Sequence, residues 1–259
     1  MFDFIFNNKK YGLALGAGGA KGLVHIGVIK ALEELKIKIT HIGGSSVGSL
    51  IGGMYALWGD IQKVESIVLS YDKKRLTELF TTDIGLLHGV FKGEKVLGEI
   101  EQYVGNAKIS DCKIPFVAVS LDLLNGEKVY HTSGLLKDAI RASISIPLVL
   151  KPYELNGRYL IDGGIAECVP IEATKSIGAK KIIGVDIQGF PTMNEKMNLK
   201  SLSSRVYKAS MFHLGKKDLE FADKRLEFNL SDYTISELID NREKYIQDGY
   251  DETLKLFNE

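Results

Sequence analysis

The chain has 259 residues, of which 45% are hydrophobic and 25% charged, enough to bury a large core as one α/β domain or two small ones. Thirty-three basic and 33 acidic side chains give a net charge of +0, so no global field gathers nucleic acid, and no nucleic-acid partner is expected. Cys112 and Cys168 lie far apart and fit neither a disulfide framework nor a metal-ligand spacing, which points to a reducing, cytoplasmic compartment.

At the N-terminus, Phe2, Phe4, Ile5 and Phe6 precede the basic pair Lys9-Lys10, the reverse of a signal peptide's order. This run either packs on the body or dips into a membrane surface as a peripheral contact. No stretch approaches the roughly 18 apolar residues that span a bilayer. Beyond it, short β-branched runs alternate with helical ones, which predicts a mostly parallel central sheet covered by helices in a three-layer α/β/α arrangement. Tyr11 to Leu15 reads as a first strand running into Gly16-Ala17-Gly18-Gly19-Ala20-Lys21-Gly22. Leu23, Ile26, Ile29, Leu32 and Leu35 then recur at helical spacing. Ile37 to Ile42 is a second strand, and Val47 to Leu57 the helix after it.

Residues 60 to 104 read as helical and more polar, interrupted by the glycine-rich apolar loop from Asp83 to Gly93, either a lid over a greasy site or an ordered connection. Phe116 to Leu121 and Lys128 to His131 flank Asn125-Gly126, a hairpin signal, and Tyr153 to Leu155 with Tyr159 to Asp162 turns at Asn156-Gly157. Lys181 to Ile187 is a further buried strand, followed by a loose loop at Gln188 to Asn198. Residues 200 to 225 and 241 to 257 read as helices. One domain over 1–259 is therefore expected, with a core at about 11–187 and a C-terminal helical extension at about 199–259.

Chemistry concentrates at three places. Ser46 lies in Gly44-Ser45-Ser46-Val47-Gly48, a Gly-x-Ser-x-Gly run between a strand and a helix. A serine at such a turn is held in a strained backbone with its hydroxyl exposed, at a helix N-terminus that favours developing negative charge. One strand earlier, the glycine loop from Gly16 fits neither a dinucleotide fingerprint, whose last glycine would be Lys21, nor a phosphate-binding loop, whose Ser/Thr is replaced by Gly22. Paired with the Ser46 turn, it makes an oxyanion hole, with N–H groups aimed at the tetrahedral oxygen of acyl transfer. The third place is Asp162, which ends an apolar strand at Asp162-Gly163-Gly164. Alone this is an ordinary turn; beside a nucleophile it is a carboxylate able to orient a serine and take its proton.

Together these features resemble the patatin-like phospholipase family over roughly Tyr11 to Ile187. Asp138-Ala139-Ile140-Arg141-Ala142-Ser143 leading to Pro147 is similar to the family's helix and turn. The resemblance implies a patatin-like fold and a serine lipid acyl hydrolase of phospholipase A or lysophospholipase type, acting on a lipid substrate through a Ser-Asp dyad without histidine, cofactor or metal. Carried over residue by residue, Ser46 is the nucleophile, Asp162 the general base, and the amides of Gly18 and Gly19 the oxyanion hole. Ala17 departs from the three adjacent glycines often found in the family loop and restricts the backbone there.

Other readings stay open. An α/β-hydrolase esterase with a Ser-Asp-His triad would need a late histidine, and His213 is the candidate; His25 and His41 read as structural. A non-catalytic lipid-binding module of the same fold, or acyl transfer to an alcohol instead of water, are further alternatives. Lys21 either attracts a phospholipid headgroup or bonds a nearby carbonyl. Arg141 and Ser143 read as support for the turn at Pro147. The physiological lipid, the acyl position preferred and the oligomeric state are not legible in the sequence.

Overall fold

The computed structural model describes residues 9–81, 91–190, 198–230, 237 and 240–258. The apolar run Phe2 to Phe6 and most of the loop from Asp83 to Gly93 lie outside the described residues. Among those described, the chain order is β1 (Lys10–Leu15), α1 (Leu23–Glu34), β2 (Lys38–Ser45), α2 (Val47–Trp58), α3 (Ile61–Leu69), α4 (Lys73–Thr81), α5 (Glu94–Val104), β3 (Phe116–Asp122), β4 (Lys128–His131) and α6 (Leu136–Ser143). Then follow β5 (Tyr153–Leu155), β6 (Arg158–Asp162), α7 (Ile171–Ser176), β7 (Ile182–Asp186), α8 (Leu199–Leu219), β8 (Lys224–Glu227) and α9 (Arg242–Asn258). No helix among the described residues is long and apolar enough to cross a membrane.

The strands form one eight-stranded sheet in which β5, β6, β3, β2, β1, β7 and β8 are joined in that sequence and β4 adds to β3. Pairings from β3 through β2, β1 and β7 to β8 are parallel; those of β4, β5 and β6 are antiparallel. β1 is buried from Gly12 onward, as expected of a central parallel strand covered on both faces. Alternation decides which face each residue serves. Leu13 and Leu15 point into the main core with α1, α2 and α9, while Ala14 joins Val169, Ile171 and Leu219 on the other face. On β3, Phe116 and Ala118 enter the main core, and Val117 and Val119 meet Ala173 of α7 opposite. The result is the expected three-layer α/β/α fold.

Register brings two chain-distant residues together. Ser45, the last residue of β2, lies opposite Val119, and Asp162, the last of β6, lies opposite Ser120. β4 occupies one edge of β3 from Ala118 to Leu121, so β6 runs along the edge that β2 leaves at Val119. β2 and β6 therefore meet end to end, with Ser46 and Asp162 at the junction.

One expectation needs correction. The helix expected over 200–225 ends at Leu219, and Lys224–Glu227 is an edge strand parallel to β7. Asp223 exchanges bonds with Ile182, its N–H to the carbonyl and its carboxylate to the N–H, and so draws the chain into the sheet. The segment after residue 199 is thus not wholly helical. Its Leu226, Phe228, Tyr245, Ile246 and Phe257 are buried in the same core as Leu13 and Ile42.

Candidate active site

Ser46 caps the N-terminus of α2 with φ 53° and ψ −125°, a left-handed backbone that a side chain adopts only under constraint. The flanking glycines explain how it is held. A Cβ on Gly44 would stand 2.4 Å from Ser49 Cα, and one on Gly48 would stand 2.0 Å from the Leu15 carbonyl oxygen. Only glycine permits strand and helix to close this tightly around the serine. Ser46 donates its N–H to Ser143 Oγ at 2.9 Å, and its carbonyl accepts from the N–H and the hydroxyl of Ser49.

The Ser46 hydroxyl donates to Asp162 Oδ2 at 2.5 Å, across 116 residues of chain. Both are buried, Ser46 at 3% exposure and Asp162 at 0%. Asp162 Oδ1 accepts the Gly164 N–H at 2.7 Å, and its own N–H donates to the Ser145 carbonyl at 3.0 Å. Burial raises the Asp162 carboxyl to about 6, against the hydrogen bonds from Ser46, Gly164 and Tyr207, which favour the charged form. A carboxylate held there is a better base near neutrality than an exposed one.

The glycine loop is clamped at its start. The Gly16 carbonyl accepts from His25 Nε2, and the Ala17 carbonyl from Gln188 Nε2, both at 2.8 Å. Gly16 donates its N–H to the Val185 carbonyl, and Ala17 to that of Cys168. Burial lowers His25 to about 4, which keeps the ring neutral as a donor. Among the described residues, no protein acceptor takes the N–H groups of Gly18 and Gly19. Ala17 donates its own N–H within the fold and is not among these free amides.

Gly19 and Ser46 line a cavity of about 570 Å³ together with Leu50, Ile51, Met54, Ile100 and Val149. Its size falls in the range of small-molecule sites, and most of its lining side chains are apolar, with Tyr71, Glu99, Tyr103 and Arg242 among the rest.

Sequence reasoning missed the braces around the dyad. α6 and the turn after it hold both partners, through Ser143 to Ser46 and through Ser145 to Asp162. Arg141, buried, donates to Ser145 Oγ and to the carbonyls of Lys92 and Gly93. The helix expected to support only the turn at Pro147 thus supports the site itself. Tyr207 of α8 reaches the Asp162 carboxyl with its phenol and lies among Ala17, Cys168 and Met211.

Other sequence candidates fall elsewhere. Lys21 is buried and donates from Nζ to the Leu230 carbonyl at 3.1 Å, the carbonyl-bonding role. His213 is exposed and stacks edge-on with Phe212. His131 bonds Ser120 Oγ, and His41 bonds Thr40 Oγ1. His88 lies outside the described residues. Among those described, no histidine bonds Ser46 or Asp162.

The Patatin-like phospholipase family model matches residues 13–175. Over 183 residues the chain is 38% identical to an uncharacterized NTE family protein of Mycobacterium tuberculosis, covering 71% of this chain and 50% of that one. It is 33% identical over 186 residues to Lysophospholipase NTE1 of Yarrowia lipolytica, covering 71% of this chain and 13% of that one. The chain thus spans half or less of the length of these relatives. VipD from Legionella pneumophila, a crystal structure, aligns over 97% of this chain and 67% of its own with a TM-score of 0.54 at 13% identity, a likeness of fold. A family model that runs from β1 through the Ser46 turn and past Asp162 covers well over half of the sequence, and the chain belongs to the patatin-like phospholipase family.

Proposed function

We propose that the protein is a serine lipid acyl hydrolase that cleaves carboxylic esters of phospholipase A or lysophospholipase type through a Ser46–Asp162 dyad. The observation that carries this reading is the 2.5 Å bond from Ser46 Oγ to Asp162 at the edge of an apolar cavity beside free amides. The name of the Yarrowia relative supports a lysophospholipid as the first substrate to try.

In the first step Ser46 Oγ attacks the ester carbonyl while its proton passes to Asp162 Oδ2. The N–H groups of Gly18 and Gly19 hold the oxyanion. As the tetrahedral species collapses, the carbon–oxygen bond to the leaving alcohol breaks, and that oxygen takes the proton back from Asp162. Water then gives a proton to Asp162 and attacks the acyl-serine, and Ser46 Oγ leaves with that proton as the fatty acid is released. The apolar cavity takes the acyl chain, whose burial holds the carbonyl against Ser46.

Access to lipid belongs to the same reading. Leu199, Leu202 and Val206 are exposed on α8 at helical spacing, in the turns that lead up to Tyr207, and Phe190 is exposed nearby in sequence. This face gives the site a peripheral contact with a lipid surface. Free Cys112 and Cys168 fit a reducing, cytoplasmic setting, and the shared core across β8 and α9 fits one α/β domain. The test is release of fatty acid from a lysophospholipid by wild type, Ser46→Ala and Asp162→Asn. Activity lost by at least about a thousandfold in both variants supports the dyad; wild-type rates in either would end it.

A further inference from the structure

We propose that Tyr71, Glu99 and Tyr103 form a polar wall that ends the apolar cavity and sets the length of acyl chain the site accepts. The proposal rests on the lipid-hydrolase reading and names the residues that would govern its chain preference.

The cavity leads away from the dyad. Val47, Leu50, Ile51 and Met54 line it on successive turns of α2, so it follows that helix for about 12 Å beyond Ser46 at ~1.5 Å per residue. Across from α2, α5 contributes the stripe Val96, Glu99, Ile100 and Tyr103. The start of α5 is tied to the dyad, because Arg141 bonds both the Gly93 carbonyl and Ser145, whose own carbonyl holds Asp162. Tyr103 therefore lies about 10 Å along α5 from the catalytic end of that stripe.

At this far end the lining changes character. Tyr71 donates to Glu99 Oε2 at 2.6 Å and lies 3.2 Å from the Tyr103 hydroxyl. Arg75 donates to the same Glu99 oxygen at 2.9 Å and to Tyr103 at 3.4 Å, with its guanidinium 4.4 Å from the centre of the Tyr71 ring. Arg242 donates from Nη1 to the carbonyls of Leu69 and Tyr71, which pins the turn between α3 and α4. Beyond the cluster is a second cavity of about 230 Å³, lined by Arg75, Glu78, Lys95, Gly98, Glu99 and Gln102. Glu99 lines both cavities and so divides an apolar space from a polar one.

Physical chemistry then predicts a break in chain-length dependence. Each methylene moved from water into the apolar part should tighten binding about fourfold. A terminal methyl that reaches the wall meets groups already bonded to one another and gains nothing. To go further it must separate Glu99 from Arg75 and Tyr71, breaking an ion pair and hydrogen bonds among half-buried groups.

The experiment measures binding of saturated fatty acids of increasing length, each below its aggregation concentration, to Ser46→Ala protein, so that it does not depend on turnover. In parallel, ester hydrolysis is followed in the Ser46 protein. Affinity should climb about fourfold per methylene and then level or fall. Adding Tyr103→Ala should move that break to chains longer by at least about two methylenes, and Tyr103→Trp should move it to shorter chains. General damage would weaken all lengths alike. An unmoved break in both variants, or no break at all, overturns the proposal. A moved break in a protein that hydrolyses no ester would sustain the wall and refute the hydrolase reading.

Discussion

In the proposed mechanism Asp162 carries the greatest chemical burden, because there a carboxylate does the work often given to histidine. Its raised value of about 6 predicts that kcat/KM on a water-soluble ester loses activity below an apparent pKa near 6, since the protonated acid cannot take the Ser46 proton. A pH–rate profile with an acid limb near 4 would contradict this. Tyr207 has a separable effect. Its phenol favours the ionised carboxyl, so Tyr207→Phe should raise the Asp162 pKa and move the acid limb to higher pH. A purely structural tyrosine would lower the rate without moving the limb. The Ser46 turn, the Asp162 turn and the loop of Gly18 and Gly19 stood out in the sequence because each is a short motif of consecutive residues. The contacts of Tyr207, Ser143 and Ser145 did not, since a lone serine or tyrosine carries no local mark of a partner distant in the chain.

Among the elements, α6 and the Ser46 turn hold Ser46 in place beside Asp162. Ser143→Ala removes the acceptor of the Ser46 N–H and leaves a buried donor unpaired, which should cost about 1–3 kcal/mol in denaturant unfolding. Gly48→Ala pushes a methyl group into the Leu15 carbonyl and should cost at least as much, with activity lost alongside. An alanine variant as stable and active as wild type would show that the turn tolerates what its geometry forbids. On α8, changing Leu199, Leu202 and Val206 together to serine should reduce co-sedimentation with phospholipid vesicles by on the order of tenfold. Most elements were readable from periodicity and from the turns at Asn125-Gly126 and Asn156-Gly157. β8 was not, because Lys224–Glu227 is a four-residue edge strand with only Leu226 buried, and its composition continues the preceding helix.

Across the molecule, the sheet works as an alignment device. β2 and β6 share one edge of β3 and meet at its middle, and that register brings Ser46 and Asp162 together. Burial of Tyr245, Ile246 and Phe257 makes α9 part of the same core. A chain cut after residue 230 should therefore lose roughly 5 kcal/mol, from about 1.5–3 kcal/mol for each large side chain, and fail to give a cooperative melt. The most direct test of the central claim is intact-protein and peptide mass spectrometry after reaction with a fluorophosphonate. The account predicts one adduct, on the peptide carrying Ser46, absent in Ser46→Ala and formed far more slowly in Asp162→Asn. Equal labelling of Ser46→Ala, or an adduct on another residue, would contradict it.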